Sequence, residues 1–163
     1  MPKSLIVLLL AALALTAGAA PLAITADQLQ KKGSAQVSLL SGEPARVGIR
    51  FDDPGWDSGV RVLPPAGRKF WDLSGGEILS VDVENLSPDR QLRLTMHISS
   101  GAREDKTLSD VSTGIALNPG EKRTMNLRVP HRRIYGTPHG VRGPRTVESD
   151  RINGIEFYMT WPF

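Results

Sequence analysis

The chain has 163 residues, a formal net charge of +3 and no cysteine. That length suits one domain with a real core. So small a charge argues against a nucleic-acid partner, and the lack of cysteine rules out a disulfide scaffold.

Lys3 precedes an uninterrupted apolar run over residues 5–15, and the small residues Ala17-Gly18-Ala19-Ala20 follow. A basic start, a short apolar stretch and a small-residue site are the three parts of a cleavable secretory signal. The run is about half of the roughly 20 residues that a membrane-spanning helix needs. The expected cut falls after Ala19; a cut after Ala20 would put Pro21 at the scissile bond. No cysteine follows that could carry a lipid. The predicted organisation is a signal-peptide helix over residues 1–19, a leader over 20–34 and a β-sandwich domain over 35–163. The expected location is periplasmic or secreted, with no membrane contact after cleavage.

Residues 23–32 read as a short helix or a loose leader. Beyond them the apolar pattern has period two and is broken by turn signals. Residues 36–40 alternate, with Val37 and Leu39 on one side. Residues 46–51 alternate with Val47, Ile49 and Phe51 together. The turn over residues 52–58 carries Asp52, Asp53 and Asp57. Its oxygens are of the kind that Ca²⁺ gathers, roughly six to eight at a time, so a structural Ca²⁺ is an expectation; no other cofactor is. Val60 and Val62 mark a strand. Residues 78–84 put Leu79, Val81 and Val83 inward, and Leu92, Leu94, Met96 and Ile98 give the cleanest alternation. A short strand over 114–117 ends at Asn118-Pro119-Gly120. Met125, Leu127 and Val129 follow, then a loop over 131–150 rich in Gly, Pro and Arg. The last strand, over 152–161, puts Ile155, Phe157, Met159 and Trp161 on one face. About eight strands apolar on one face must pair as two antiparallel sheets with those faces together. The predicted fold is all-β, an antiparallel two-sheet β-sandwich of jelly-roll type, with a closed barrel as the alternative.

Four segments in order carry a resemblance. They are Trp71-Asp72-Leu73-Ser74; the strand with Leu79, Val81, Asp82, Val83 and Asn85; Leu117 with Pro119, Gly120, Glu121 and Thr124; and Ile152, Ile155 and Phe157. This order resembles the carbohydrate-binding-module-like, galactose-binding-like jelly roll that precedes the catalytic barrel of agarases and related polysaccharide-degrading glycoside hydrolases. The resemblance spans residues 37–161. It implies a non-catalytic module whose partner is an extracellular polysaccharide or oligosaccharide, beside a glycoside hydrolase catalytic domain. The chain departs from that plan by stopping at Phe163, so the expectation is a free-standing module or the N-terminal fragment of a longer enzyme.

Candidate chemistry is sparse. There is no cysteine nucleophile and no G-x-S-x-G elbow. His97 falls on a polar strand face, and His131 and His139 fall in the Arg-rich loop. Sugars present an apolar C–H face and a hydroxyl rim, so their sites combine an exposed aromatic ring with polar or charged groups. Phe51, Phe157, Trp161 and Trp71 read as core. Trp56, Tyr135 and Tyr158 are the platform candidates. Asp82, Glu84, Arg93, Thr95, His97, Asn126 and Arg128 sit at outward strand positions, read first as a plain solvated surface and second as a groove for an extended glycan. Arg132, Arg133, Arg142 and Arg145, with Tyr135, could clamp a carboxylated or sulfated sugar. The predicted carbohydrate site is therefore Trp56, Tyr135, Tyr158, Arg132, Arg133, Arg142, Arg93, His97 and Asn126. Two other readings compete. One is a structural or protein-interaction sandwich packed on a catalytic partner. The other is a small lyase using Tyr135, Arg132 and His139.

Overall fold

The computed structural model describes residues 6–16, 22–41, 46–51, 58–100, 109–129 and 147–160. Ten strands occur among them: β1 (Ile6–Thr16), β2 (Leu29–Lys32), β3 (Ala35–Leu40), β4 (Arg46–Phe51), β5 (Gly59–Val62), β6 (Ile78–Asn85), β7 (Leu92–Ser100), β8 (Ser109–Leu117), β9 (Lys122–Arg128) and β10 (Ile152–Met159). A single 3-10 turn, Ala26–Gln28, precedes β2. All strand pairs are antiparallel. They form two five-stranded sheets, sheet A in the order β3-β4-β1-β6-β9 and sheet B in the order β2-β5-β10-β7-β8.

Alternation dictates how the sheets meet. In β6 the burial alternates residue by residue, with Leu79, Val81 and Val83 inside. In β7 it is Leu92, Leu94, Met96 and Ile98 that go inside. These residues join Val47, Ile49, Phe51, Leu127 and Phe157 in one apolar cluster drawn from both sheets. The result is a sandwich-like all-β body.

Three segments take a form that their sequence pattern did not specify. The N-terminal apolar run is strand β1 over residues 6–16, and no signal-peptide helix is seen among the described residues. A short apolar run has no period that separates helix from strand, and this one satisfies the facing backbone edges of β4 and β6. Residues 23–32, expected as a short helix or a loose leader, hold the 3-10 turn Ala26–Gln28 and then β2, an edge strand on β5. Its sequence, Leu-Gln-Lys-Lys, shows no alternation because an edge strand is poorly covered. The short strand expected at 114–117 extends back to Ser109, because residues 109–113, polar but for Val111, pair with β7 in full register.

The motif residues build turns and core. Trp71 is buried, and its indole Nε1 donates to Val62 O at 3.2 Å. Asp72 Oδ1 accepts from Ser74 N (3.0 Å) and Ser74 Oγ (2.6 Å), an Asx turn. Asn85 is fully buried; its Nδ2 donates to Arg90 O (2.7 Å) and Leu117 O (3.1 Å), while its Oδ1 accepts from Ser87 N. The Pro119-Gly120 turn docks on the same residue, with Gly120 N donating to Asn85 O.

Candidate functional site

The outer face of sheet B is built from alternate residues of its five strands. Register aligns Gln30, Arg61, Glu156, His97 and Ser112 in one row. The next row holds Lys32, Gly59, Tyr158, Thr95 and Gly114. Arg93, exposed, follows Thr95 two residues along β7 on the same side. Three of the nominated residues, Arg93, His97 and Tyr158, therefore share one face although they come from distant parts of the chain.

That face is unusual because its centre is a buried acid. Glu156 is 4% exposed although it points away from the core residues Ile155 and Phe157. Lys32 Nζ donates to Glu156 Oε2 at 2.6 Å. Arg61 Nε stands 3.7 Å from Oε1, and His97 Nδ1 stands 3.8 Å from Oε2. Both nitrogens are buried without a hydrogen-bond partner, so charge attraction rather than a hydrogen bond ties them to the carboxylate. On its other side His97 Nε2 lies 3.2 Å from Asp110 Oδ2. Tyr158 is half-buried at the edge of this cluster. Its ring meets His97 edge-on at 6.2 Å, and Lys32 Nζ lies 5.4 Å from its centroid.

Two glycines make the crowding feasible. A Cβ on Gly154 would meet Arg61 Nε at 2.4 Å, so the bare backbone lets the guanidinium lie across β10. A Cβ on Gly59 would meet Phe157 O at 1.9 Å, so only glycine lets β5 lie against β10 opposite Tyr158.

The electrostatics follow from this packing. Burial alone would push the His97 imidazole toward neutrality. The hydrogen bond to Asp110 and the charges of Glu156 and Asp110 outweigh it and lift its pKa to about 9. Burial alone would raise Glu156, but the close approach of His97, the hydrogen bond from Lys32 and the charges of both bring it down to about 2. At neutral pH the face thus carries a fixed imidazolium and a fixed carboxylate. Such a pair holds charge in place and orients what approaches.

Asn126 is on the other sheet. Its Oδ1 accepts from Ser80 Oγ at 2.7 Å, and Thr124 Oγ1 donates to Asp82 Oδ1 at 2.6 Å beside it. Asp82, Glu84, Asn126 and Arg128 belong to β6 and β9 of sheet A, whereas Arg93, Thr95 and His97 belong to β7 of sheet B. These outward residues therefore do not share one face, because consecutive strands in the chain fall in different sheets. Trp56, Tyr135, Arg132, Arg133 and Arg142 lie outside the described residues, as do Asp52, Asp53 and Asp57 of the expected Ca²⁺ turn. No group of three metal-binding side chains occurs among the described residues.

Sequence reasoning missed Lys32, Arg61 and Glu156. Only Glu156 carried a signal, as the one charged residue of the last strand. It also missed an open cleft of about 670 Å³ at one end of the sandwich. Thr25, Asp27, Arg68, Phe70 and Asp72 line it, and Arg151 stacks on the Phe70 ring at 5.4 Å. The Asp72 carboxyl is held below the usual range by its hydrogen bonds from Ser74.

No family model, no curated protein and no solved structure matches this chain.

Proposed function

We propose that this chain is an exported, non-catalytic β-sandwich that binds an acidic extracellular polysaccharide through the outer face of sheet B. The observation that supports the reading is the convergence of Tyr158, His97 and Arg93 around the buried Glu156 cluster. Tyr158 offers a ring edge for a sugar C–H face. Arg93 and the His97 imidazolium, with Lys32 and Arg61 beside them, outnumber Glu156 and Asp110 and favour a carboxylated or sulfated glycan. An imidazole fixed as a cation favours binding over base catalysis at neutral pH. The resemblance to modules that accompany polysaccharide-degrading enzymes points the same way. A structural Ca²⁺ belongs to the same proposal.

Affinity electrophoresis across neutral and acidic glycans tests this. Retardation is expected on an acidic polymer such as alginate, weakened about tenfold by Tyr158→Ala or Arg93→Ala. No retardation on any glycan overturns the reading.

A second reading, a sandwich that docks on a protein partner, rests on edge strand β3. Its Leu39 and Leu40 are 37% and 38% exposed, a large apolar pair on an open sheet edge. Retention on a catalytic partner with no glycan binding would favour it.

A further inference from the structure

The export reading and the fold make competing demands on one segment. The apolar run that reads as a cleavable signal is also β1, the middle strand of sheet A. It pairs with β4 from Ile6↔Phe51 to Ala11↔Arg46, and with β6 from Leu8↔Asn85 to Thr16↔Ile78. β4 and β6 have no pairing with each other. A cut after Ala19 removes β1 and leaves a slot about 10 Å wide between them, twice the spacing of neighbouring strands.

Closing that slot is not a simple slide. β4 and β6 are each antiparallel to β1, so they run parallel to one another. Bringing them together would set a parallel pair inside an antiparallel sheet, with slanted hydrogen bonds and a new register. Both strands are also held from outside, β4 by β3 and β6 by β9. The core residues Val47, Ile49 and Phe51 of β4 and Leu79, Val81 and Val83 of β6 would border the gap.

We propose that the slot between β4 and β6 is a strand-acceptor site, filled after cleavage by an extended apolar segment of another protein. This rests on the export part of the function proposed above and is independent of sugar binding. The occupant's chemistry is read from β1. It is an uncharged run of up to 11 residues, antiparallel to both neighbours, with a register shift between the positions of Ala11 and Ala14. Two rows of backbone hydrogen bonds supply affinity, and apolar positions in register with Phe51, Ile49 and Val47 supply selectivity. A second copy is a poor donor. Among the described residues of the cleaved chain, every apolar strand is already paired within its own sheet.

The test begins with the full chain exported from a bacterial host and weighed intact. A protein beginning at Ala20 is expected; a protein retaining residues 6–16 overturns the export reading and the proposal with it. Hydrogen exchange on the cleaved protein then reads β4 and β6. Their amides are expected to exchange at least about tenfold faster than after addition of a soluble-tagged peptide with the sequence of residues 6–16. The same peptide with Leu10→Pro, which lacks a backbone donor, is expected to fail. If the cleaved chain does not fold alone, rescue by the first peptide and not the second supports the proposal, and no rescue overturns it. Full protection of β4 and β6 without peptide, or a stable dimer of the cleaved chain, overturns the acceptor while leaving the export reading intact.

Discussion

The two outer faces of the sandwich come from equally regular alternation, yet they differ in kind. On sheet A the outward residues of β9 are exposed and those of β6 half-buried, and they are joined by neutral or singly charged hydrogen bonds, Ser80 to Asn126 and Thr124 to Asp82. On sheet B they close over a buried carboxylate held by a lysine, an arginine and an imidazolium. The first face is a solvated surface whose bonds compete with water. The second has removed water from several charges at once, so each partner depends on the others. An alternating strand therefore specifies which residues face outward, but not whether outward means wet.

The largest expected difference between the faces follows from deleting the central acid. Glu156→Ala leaves His97, Lys32 and Arg61 facing one another without the carboxylate between them. A loss of about 3 kcal/mol is expected, read as a fall in Tm of roughly 6–12 °C. The His97 pKa, followed by NMR titration, should drop from about 9 toward 6.5. An unchanged Tm would show that the cluster is no more than a surface network.

A smaller effect comes from pH. His97 has its pKa raised by folding, so its contribution is complete below about 6.5 and is lost as pH climbs through about 9. Glu156 has its pKa lowered, so its contribution is complete above about 4.5 and is lost as pH falls through about 2. The two share one attraction, which is counted once. Thermal unfolding should show a plateau between about pH 4.5 and 6.5 that sags on both sides. His97→Gln should flatten the alkaline side; a sag that survives that change would assign it to another group.

The smallest effect belongs to sheet A. Ser80→Ala and Thr124→Ala each remove one exposed hydrogen bond and should cost no more than about 1 kcal/mol. Urea titrations should show the pair adding independently of Glu156→Ala, since the two faces share no partners. Strong coupling between them would erase the distinction.

These faces also mark where sequence reasoning stopped. The phases of β4, β6, β7, β9 and β10 were legible, because each has apolar residues at every second position and a turn at each end. The core placement of Trp71 was legible from its position at a turn. The fate of the run 5–15 was not, because uniform apolarity suits a signal helix and a central strand alike. Nor was β2, since Gln30 and Lys31 at an open edge need no pattern. The charge cluster was invisible for a different reason. Lys32, Arg61, His97 and Glu156 are separated by long stretches of chain, and only the strand order of sheet B makes them neighbours. Arg93 and His97 part from Asn126 on the same point: strand order in space is not strand order in sequence.

Asn85 has a mechanical consequence. Apolar faces attract without direction, so two packed sheets resist being pulled apart far better than being sheared past one another. Asn85 ends β6 in sheet A, and its amide grips Leu117 O at the end of β8 in sheet B. Because hydrogen bonds do have direction, this one buried side chain works as a locking pin. It fixes the offset between the layers, and with it the position of every residue on one face relative to the other.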